Sequence, residues 1–196
     1  MTNLYHDKKL ETEAREEIEK TQARRLREVA RYVYDRNHVV RKRMAVAGIS
    51  PVDIRSLADL ALLPLMDKED LRSTYPLGLV CVEPRDILEM HMSSGSTGTP
   101  IVMPYTATDL TQWGECMARC LRMAGAERGD VIQITPSFGL FNGGFGFYHG
   151  ARELGLFIIP TGAGNTPRQI KLARDFKTRI VTGVVSYGIR LMEVLE

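Results

Sequence analysis

Apolar positions along the first third of the chain recur at helical spacing. Ile18, Leu26, Val29, Ala30 and Val33 fall on one stripe of a long amphipathic helix over 11–34, and Glu, Lys and Arg crowd its other faces. A second, shorter helix over 39–47 stops at Gly48, a residue type suited to the first position past a helix end. Ser50-Pro51 and Leu63-Pro64 then cut the chain into short turns. Asp67 suits the N-cap of a short helix over 68–73, and Pro76 closes that region. Near Pro84 the composition changes from helical and charged to Gly-rich and β-branched. The apolar runs 87–92 and 101–103 read as two strands either side of a small polar loop.

Beyond the second strand, Thr108 or Asp109 caps a helix to about Ala124. Its apolar stripe is Leu110, Trp113, Met117, Cys120, Leu121 and Ala124. An alternation follows: strand 131–135, helix 146–154 closed by Gly155, strand 156–159, a helix from Thr166 to about Phe176, and strand 180–185. Thr166, Pro167 and Gln169 give the second of these helices a capping box with Thr166 at the N-cap. Ser186 caps a last helix whose apolar period continues to Glu196. Strand–helix–strand–helix–strand with short loops predicts a parallel sheet with right-handed crossovers, an α/β fold. Two regions are expected: a helical one over 1–83 and an incomplete α/β subdomain over 84–196. The unfinished apolar period at the end leads us to expect a piece of a longer protein.

Composition narrows the function classes. With 196 residues, 44% hydrophobic and 26% charged, the chain has the make-up of an ordinary globular domain. Twenty-six Lys and Arg against 24 Asp and Glu give a formal charge of +2, which offers no footprint for nucleic acid. Arg24, Arg25, Arg27 and Arg31 are interleaved with acidic residues and read as a solvated helix face. No apolar run approaches the roughly 18 residues of a membrane span, and the N-terminus has no signal-peptide core, so a cytoplasmic protein is expected. Cys81, Cys116 and Cys120 are too few for a disulfide framework. Cys116 and Cys120 are one helical turn apart with no His or acidic residue at metal-ligand spacing. They read as small buried hydrophobes, and no metal site is expected.

Chemistry concentrates in two loops. Ser93, Ser94, Gly95, Ser96, Thr97 and Gly98 place four hydroxyls and two glycines in six residues, between strands that hold both ends. Such a turn gathers backbone N–H groups into an anion-binding concavity, to which hydroxyls add donors. It is neither a Walker A loop nor a dinucleotide fingerprint. Ligands of open α/β sheets bind beyond the carboxyl ends of the strands. There lie 136–145, rich in Gly and Phe, then 161–165, and Ser186-Tyr187. Phe141 first and Phe138 second are candidates for an apolar pocket wall, with Gly143 and Gly144 allowing close approach, although each phenylalanine reads equally as core. His149 reads as structural, and His91 as a residue shaping the polar loop.

The order Ser93-Ser94-Gly95-Ser96-Thr97-Gly98-Thr99-Pro100 resembles the phosphate loop of the adenylate-forming enzymes, acyl- and aryl-CoA ligases among them. Ser56-Leu57-Ala58-Asp59-Leu60, Lys68-Glu69-Asp70-Leu71-Arg72, Tyr75-Pro76-Leu77-Gly78 and Gly139-Leu140-Phe141-Asn142-Gly143-Gly144 extend the likeness to the phenylacetate–CoA ligase branch, over nearly the whole chain. The family loop usually carries a lysine after its second glycine; here that residue is Thr99.

The resemblance implies the N-terminal part of an ATP-dependent aryl- or acyl-CoA ligase. Such an enzyme turns a carboxylic acid into an acyl-adenylate and then a thioester of coenzyme A, with Mg²⁺ sharing the charge of the phosphates. It implies that residues 93–98 hold the β- and γ-phosphates, that the Phe138–Gly144 stretch lines the acid pocket, and that a homodimer forms. Adenine and ribose contacts and the catalytic lysine are expected beyond Glu196, so residues 1–196 alone are not expected to form acyl-adenylate. Two other readings stay open: a nucleotide- or acyl-binding module without turnover, and an assembly module that uses the long N-terminal helix.

Overall fold

The computed structural model describes residues 4–93, 95 and 98–195. Its elements in chain order are α1 (Lys8–Glu11), α2 (Arg15–Arg36), α3 (His38–Val46), α4 (Lys68–Ser73), β1 (Ile87–Met92), β2 (Val102–Thr106), α5 (Ala107–Met123), β3 (Val131–Ile134), α6 (Gly143–Leu154), β4 (Phe157–Ile159), α7 (Thr166–Asp175), β5 (Ile180–Thr182) and α8 (Val185–Leu195). The chain divides into two compact units, one spanning 12–104 and the other built from 105–196 with the residues up to Glu11. The compositional change near Pro84 lies inside the first of these.

In the unit of 12–104, α2 and α3 are joined at Asn37, which is 2% exposed. Its side-chain oxygen accepts from the N–H groups of Val39 (3.1 Å) and Val40 (3.2 Å), and so caps α3. Its amide donates to the Gly78 carbonyl at 3.0 Å, tying the segment after α4 to the helical pair. The expected Asp67 cap of α4 is present, with the Asp70 carboxylate returning to the Asp67 N–H. Asp70 also bonds Arg43 of α3. The long helix starts at Arg15, later than its period suggests. Glu11 instead closes a separate turn, its carboxylate accepting from His6 and Asp7.

Among the described residues the other unit holds a three-stranded parallel sheet, ordered β4-β3-β5. Ile132 of β3 lies opposite Ile158 and Ile180. From β3 the chain crosses to β4, then returns past β3 to β5. Right-handed crossovers in opposite directions put α6 and α7 on opposite faces, and the side chains of β3 show the result. Ile132 and Ile134, both 0% exposed, enter an apolar core with Leu121 of α5 and Ala151 of α6. Gln133, pointing the other way, is 1% exposed and hydrogen-bonds Gln169 of α7.

The contact of α5 with α6 depends on residues without bulk. A Cβ at Gly150 would lie 2.5 Å from Met117 Cβ and 2.8 Å from its backbone carbon. At Gly146 it would lie 2.9 Å from the Trp113 ring. Ala118 and Ala151 are 0% exposed. Trp113, expected in the core, is half-buried and stacks on Tyr105 with ring centroids 5.1 Å apart.

Several sequence expectations are corrected at element ends. Thr106, not Thr108 or Asp109, caps α5; Asp109 is the returning carboxylate of its capping box. Helix α6 begins at Gly143 rather than Gly146. Asn165 caps α7 from the left-handed region (φ 52°), which places Thr166 inside the helix. Strand β5 ends at Thr182, and α8 begins at Val185 rather than after Ser186. Cys116 and Cys120 are exposed, not buried. The packed face of α5 runs instead through Gly114, Ala118 and Leu121.

At the amino end of the sheet, Asp130 joins all three strands. Its carbonyl accepts from Phe157 N at 2.9 Å, and its carboxylate takes both hydrogen bonds from Arg179, at 2.7 and 2.9 Å. Burial pushes this carboxyl up; the Arg179 hydrogen bond and charge, with the Glu127 N–H, outweigh it and hold the group below its usual range. A depressed folded-state value stabilises above the unfolded value, about 3.9, and that contribution is lost as pH falls through the folded one. Asp130→Asn should therefore unfold at lower temperature than the parent near about pH 7, with the gap closing towards about pH 3; thermal melts at both values check this.

Gly150→Ala should destabilise the protein by about 1–3 kcal/mol, because backbone rather than a movable side chain meets the new methyl. Gly188→Ala in α8, where a Cβ would meet nothing within 4 Å, should stabilise it by about 0.5–1 kcal/mol. Urea midpoints shifting in the same direction for both variants would contradict this packing.

Candidate functional site

The polar loop is closed at its base by Ser93 and Ile101. Ser93 N–H donates to the Ile101 carbonyl at 3.0 Å, and Ile101 N–H donates to Ser93 Oγ at 2.9 Å. A hydroxyl that accepts one bond keeps its proton to donate, so Ser93 can still reach an anion. Gly98 N–H donates to the Gly95 carbonyl at 3.0 Å, so this N–H holds the turn. Gly95 has φ 66° and Gly98 φ 127°; at Gly98 the space around a Cβ is open, and backbone conformation alone calls for glycine. Ser94, Ser96 and Thr97 lie outside the described residues. On the strand entering the loop, His91 is 2% exposed, with Nε2 3.3 Å from a Glu89 carboxylate oxygen.

In the other unit the carboxyl ends of β3 and β4 carry the loops expected there, whereas Ser186-Tyr187, expected beyond β5, lies in the first turn of α8. The first runs from Thr135 into α6. Phe138 packs against the hydrophobic core and meets Phe145 edge-on, centroids 5.3 Å apart. Phe141 is 63% exposed, and its ring lies over Gly143, where a Cβ would be 2.7 Å from ring carbon Cε1. Gly144 rests on backbone: a Cβ there would be 2.8 Å from the Ser137 carbonyl oxygen. The two glycines thus let α6 start directly beneath the loop, leaving Phe141 outward and Phe138 inward. His149 stands among Trp113, Phe145 and Tyr148, with centroid distances of 5.3, 6.3 and 6.1 Å.

Two glutamines hold the loop after β4: Gln133, which carried no role in the sequence, and Gln169, expected in the capping box of α7. Gln169, 0% exposed, donates from Nε2 to the carbonyls of Gly162 (2.7 Å) and Gly164 (3.3 Å). Gln133 Nε2 donates to the Gln169 carbonyl at 3.1 Å and to its side-chain oxygen, while Gln133 Oε1 accepts from Thr178 at 3.3 Å. Thr161 Oγ1 and Gly162 N–H both reach the Ile134 carbonyl. The signal in the sequence was a lone glutamine inside Val131-Ile132-Gln133-Ile134, a polar side chain in an otherwise apolar strand.

Among the described residues no three His, Cys, Asp or Glu side chains cluster as a metal site, and no helix is long and apolar enough to cross a membrane. The described part of the polar loop carries hydroxyl and backbone groups without a charged side chain.

No protein-family model matches the chain. It is 37% identical, across 99% of its length, to a phenylacetate–coenzyme A ligase of Pseudomonas putida, of which it covers 46%. It is 37% identical, across 95%, to that of Escherichia coli K12, of which it covers 43%. The chain therefore spans less than half the length of these relatives. Among solved structures, a 2-hydroxyisobutyryl-CoA ligase in the postadenylation state with its acyl-adenylate matches 98% of this chain at TM-score 0.90 and 28% identity. The same ligase with acyl-adenylate and coenzyme A, in the thioesterification state, matches at TM-score 0.91 and 29% identity; in both, 42% of that chain is covered. The likeness to phenylacetate–CoA ligases read from the sequence thus extends along nearly the whole chain, and the fold is that of part of an adenylate-forming CoA ligase.

Gly98→Val forces a β-branched residue to φ 127°. We expect it to weaken binding of Mg-ATP at least about 100-fold, or about 2.7 kcal/mol, without unfolding the protein. Titration calorimetry on folded variant measures this; unaltered affinity would contradict the expectation that this loop holds phosphates.

Proposed function

We propose that this chain, related over nearly its whole length to phenylacetate–CoA ligases, provides the phosphate-binding and acid-binding parts of an AMP-forming acid–CoA ligase. The observation that carries the reading is the loop of 93–98, held at its base by Ser93 and Ile101 and turned by two glycines in the left-handed region. Within the chain, Ser93 to Gly98 take the polyphosphate of ATP. Phe141, exposed at the carboxyl end of the parallel sheet, forms an apolar wall for the acid, with Phe138 packed behind it in the core.

The reaction is two displacements. The carboxylate, already ionised at neutral pH, attacks the α-phosphorus and pyrophosphate leaves. The thiol of coenzyme A then attacks the acyl carbonyl, and AMP leaves. In-line transfer at phosphorus needs positioning and charge neutralisation more than a protein nucleophile. The neutral hydroxyls of the loop, with Thr99 in place of the lysine that the resembled family loop usually carries, suit a polyphosphate that arrives complexed to Mg²⁺; the ion, when bound, supplies the balancing charge. Ser93 supports this by holding the loop shut while its hydroxyl proton stays available to a phosphate oxygen.

The test is acid-dependent exchange of labelled pyrophosphate into ATP. It compares the chain itself with the chain joined to the remaining part of a phenylacetate–CoA ligase relative. Exchange by the joined protein alone supports the assignment; no exchange from a folded joined protein, over a panel of aryl and short aliphatic acids, refutes it. In the joined protein Phe141→Ala should raise the KM for an aryl acid at least about tenfold while that for ATP moves little, as the loss of a buried aromatic contact predicts.

A further inference from the structure

The two cysteines of α5 have no part in this reading, and they do not pack. Cys116 and Cys120 are both exposed, and Met123, three residues on, is 67% exposed. Positions 116, 120 and 123 follow the i, i+4, i+7 spacing of one helix face. Long side chains in a helix lean towards its N-terminus, so Met123 covers the surface beside Cys120. The last turn is firmly ended: Ala124 N–H donates to Cys120 O at 3.1 Å, and Ala126 N–H to Leu121 O at 3.0 Å. On its other face α5 is fixed by the close contact of Met117 and Ala118 with Gly150. Three sulfurs thus stand along one solvent-facing stripe of a rigid helix.

Helix geometry sets what these sulfurs can do. Cβ atoms at i and i+4 lie about 5–6 Å apart. A disulfide needs about 3.5–4.5 Å between them, so the two thiols cannot join within an intact helix. A metal ion bridges the wider gap, since each thiolate–metal bond adds about 2.3 Å beyond its sulfur. Two thiolates and a thioether are soft donors in a set of three. Zn²⁺ prefers a closed tetrahedral set of four, whereas Cu(I) accepts low coordination and selects sulfur. We propose that Cys116, Cys120 and Met123 form a surface site for a single Cu(I) ion. Binding releases the two thiol protons and changes no oxidation state. The site shares no residue with the polar loop or with the loops at the strands' carboxyl ends, and it stands whether or not the ligase reading does.

The test is anaerobic titration of the reduced protein with Cu(I), in competition with a chromophoric Cu(I) chelator. We expect one ion per chain, a thiolate-to-copper absorption band in the near ultraviolet, and sedimentation that copper leaves unchanged. Cys116→Ser and Cys120→Ser should each abolish the band, Met123→Leu should weaken binding about tenfold, and Cys81→Ser should change nothing. Circular dichroism confirms that the variants keep their helices, as expected for exposed positions. Undiminished binding in either Cys116→Ser or Cys120→Ser, one copper shared by two chains, or equal competition by Zn²⁺ would each overturn the site.

Discussion

The close contact of α5 with α6 is the constraint on which the sheet-bearing unit depends. Gly150 meets the backbone of Met117, and Gly146 meets the Trp113 ring, at separations that leave no room for a methyl group. Because backbone meets backbone at Gly150 and a large ring closes over Gly146, the axis of α6 is held at two positions. Two consequences run in opposite directions along that helix. Towards its end, Ala151 reaches the sheet and closes the core over Ile132 and Ile134. Towards its start, Gly143 and Gly144 lie directly under the loop from β3, so Phe141 projects outward while Phe138 turns in.

The opposite face of the sheet is held by different chemistry. Beside the buried Ile170, Gln133 and Gln169 share hydrogen bonds with each other, with Thr178 and with the carbonyls of Gly162 and Gly164. A satisfied buried amide network specifies one arrangement where an apolar contact tolerates several. The loops at the carboxyl ends of β3 and β4 are therefore positioned by unlike means, one by helix packing and one by directional bonds.

Much of this was legible in the chain itself. The switch from helical period to short β-branched runs gave the α/β alternation, the parallel sheet and the loops at its carboxyl end. The order Ser93 to Pro100 led to a family whose relatives align over nearly the whole chain at 37% identity. What was not legible depends on tertiary geometry. Thr106, Thr108 and Asp109 can all cap a helix; Thr106 is the one whose backbone is extended and whose side chain pairs reciprocally with Asp109. Asn165 caps α7 because its backbone turns left-handed, which a residue type permits but does not announce. Cys120 sat on a plausible apolar stripe. The packed face lies slightly round the helix, where Gly114 and Ala118 are small enough to admit α6. Gln133 looked like an interruption in a strand, and its partner was 36 residues away.

The Asp130–Arg179 pair lies at the amino ends of the strands, away from the carboxyl-end loops. Cohesion of the sheet and the shape of its ligand-facing rim are thus lodged in separate sets of residues. Such a division makes the scaffold permissive to diversification. Loops at the rim can be exchanged, lengthened or re-populated with other side chains while the clamp at the far end continues to register the strands. A fold built on this plan can change the surface its rim presents through a few loop residues without redesigning the sheet beneath them.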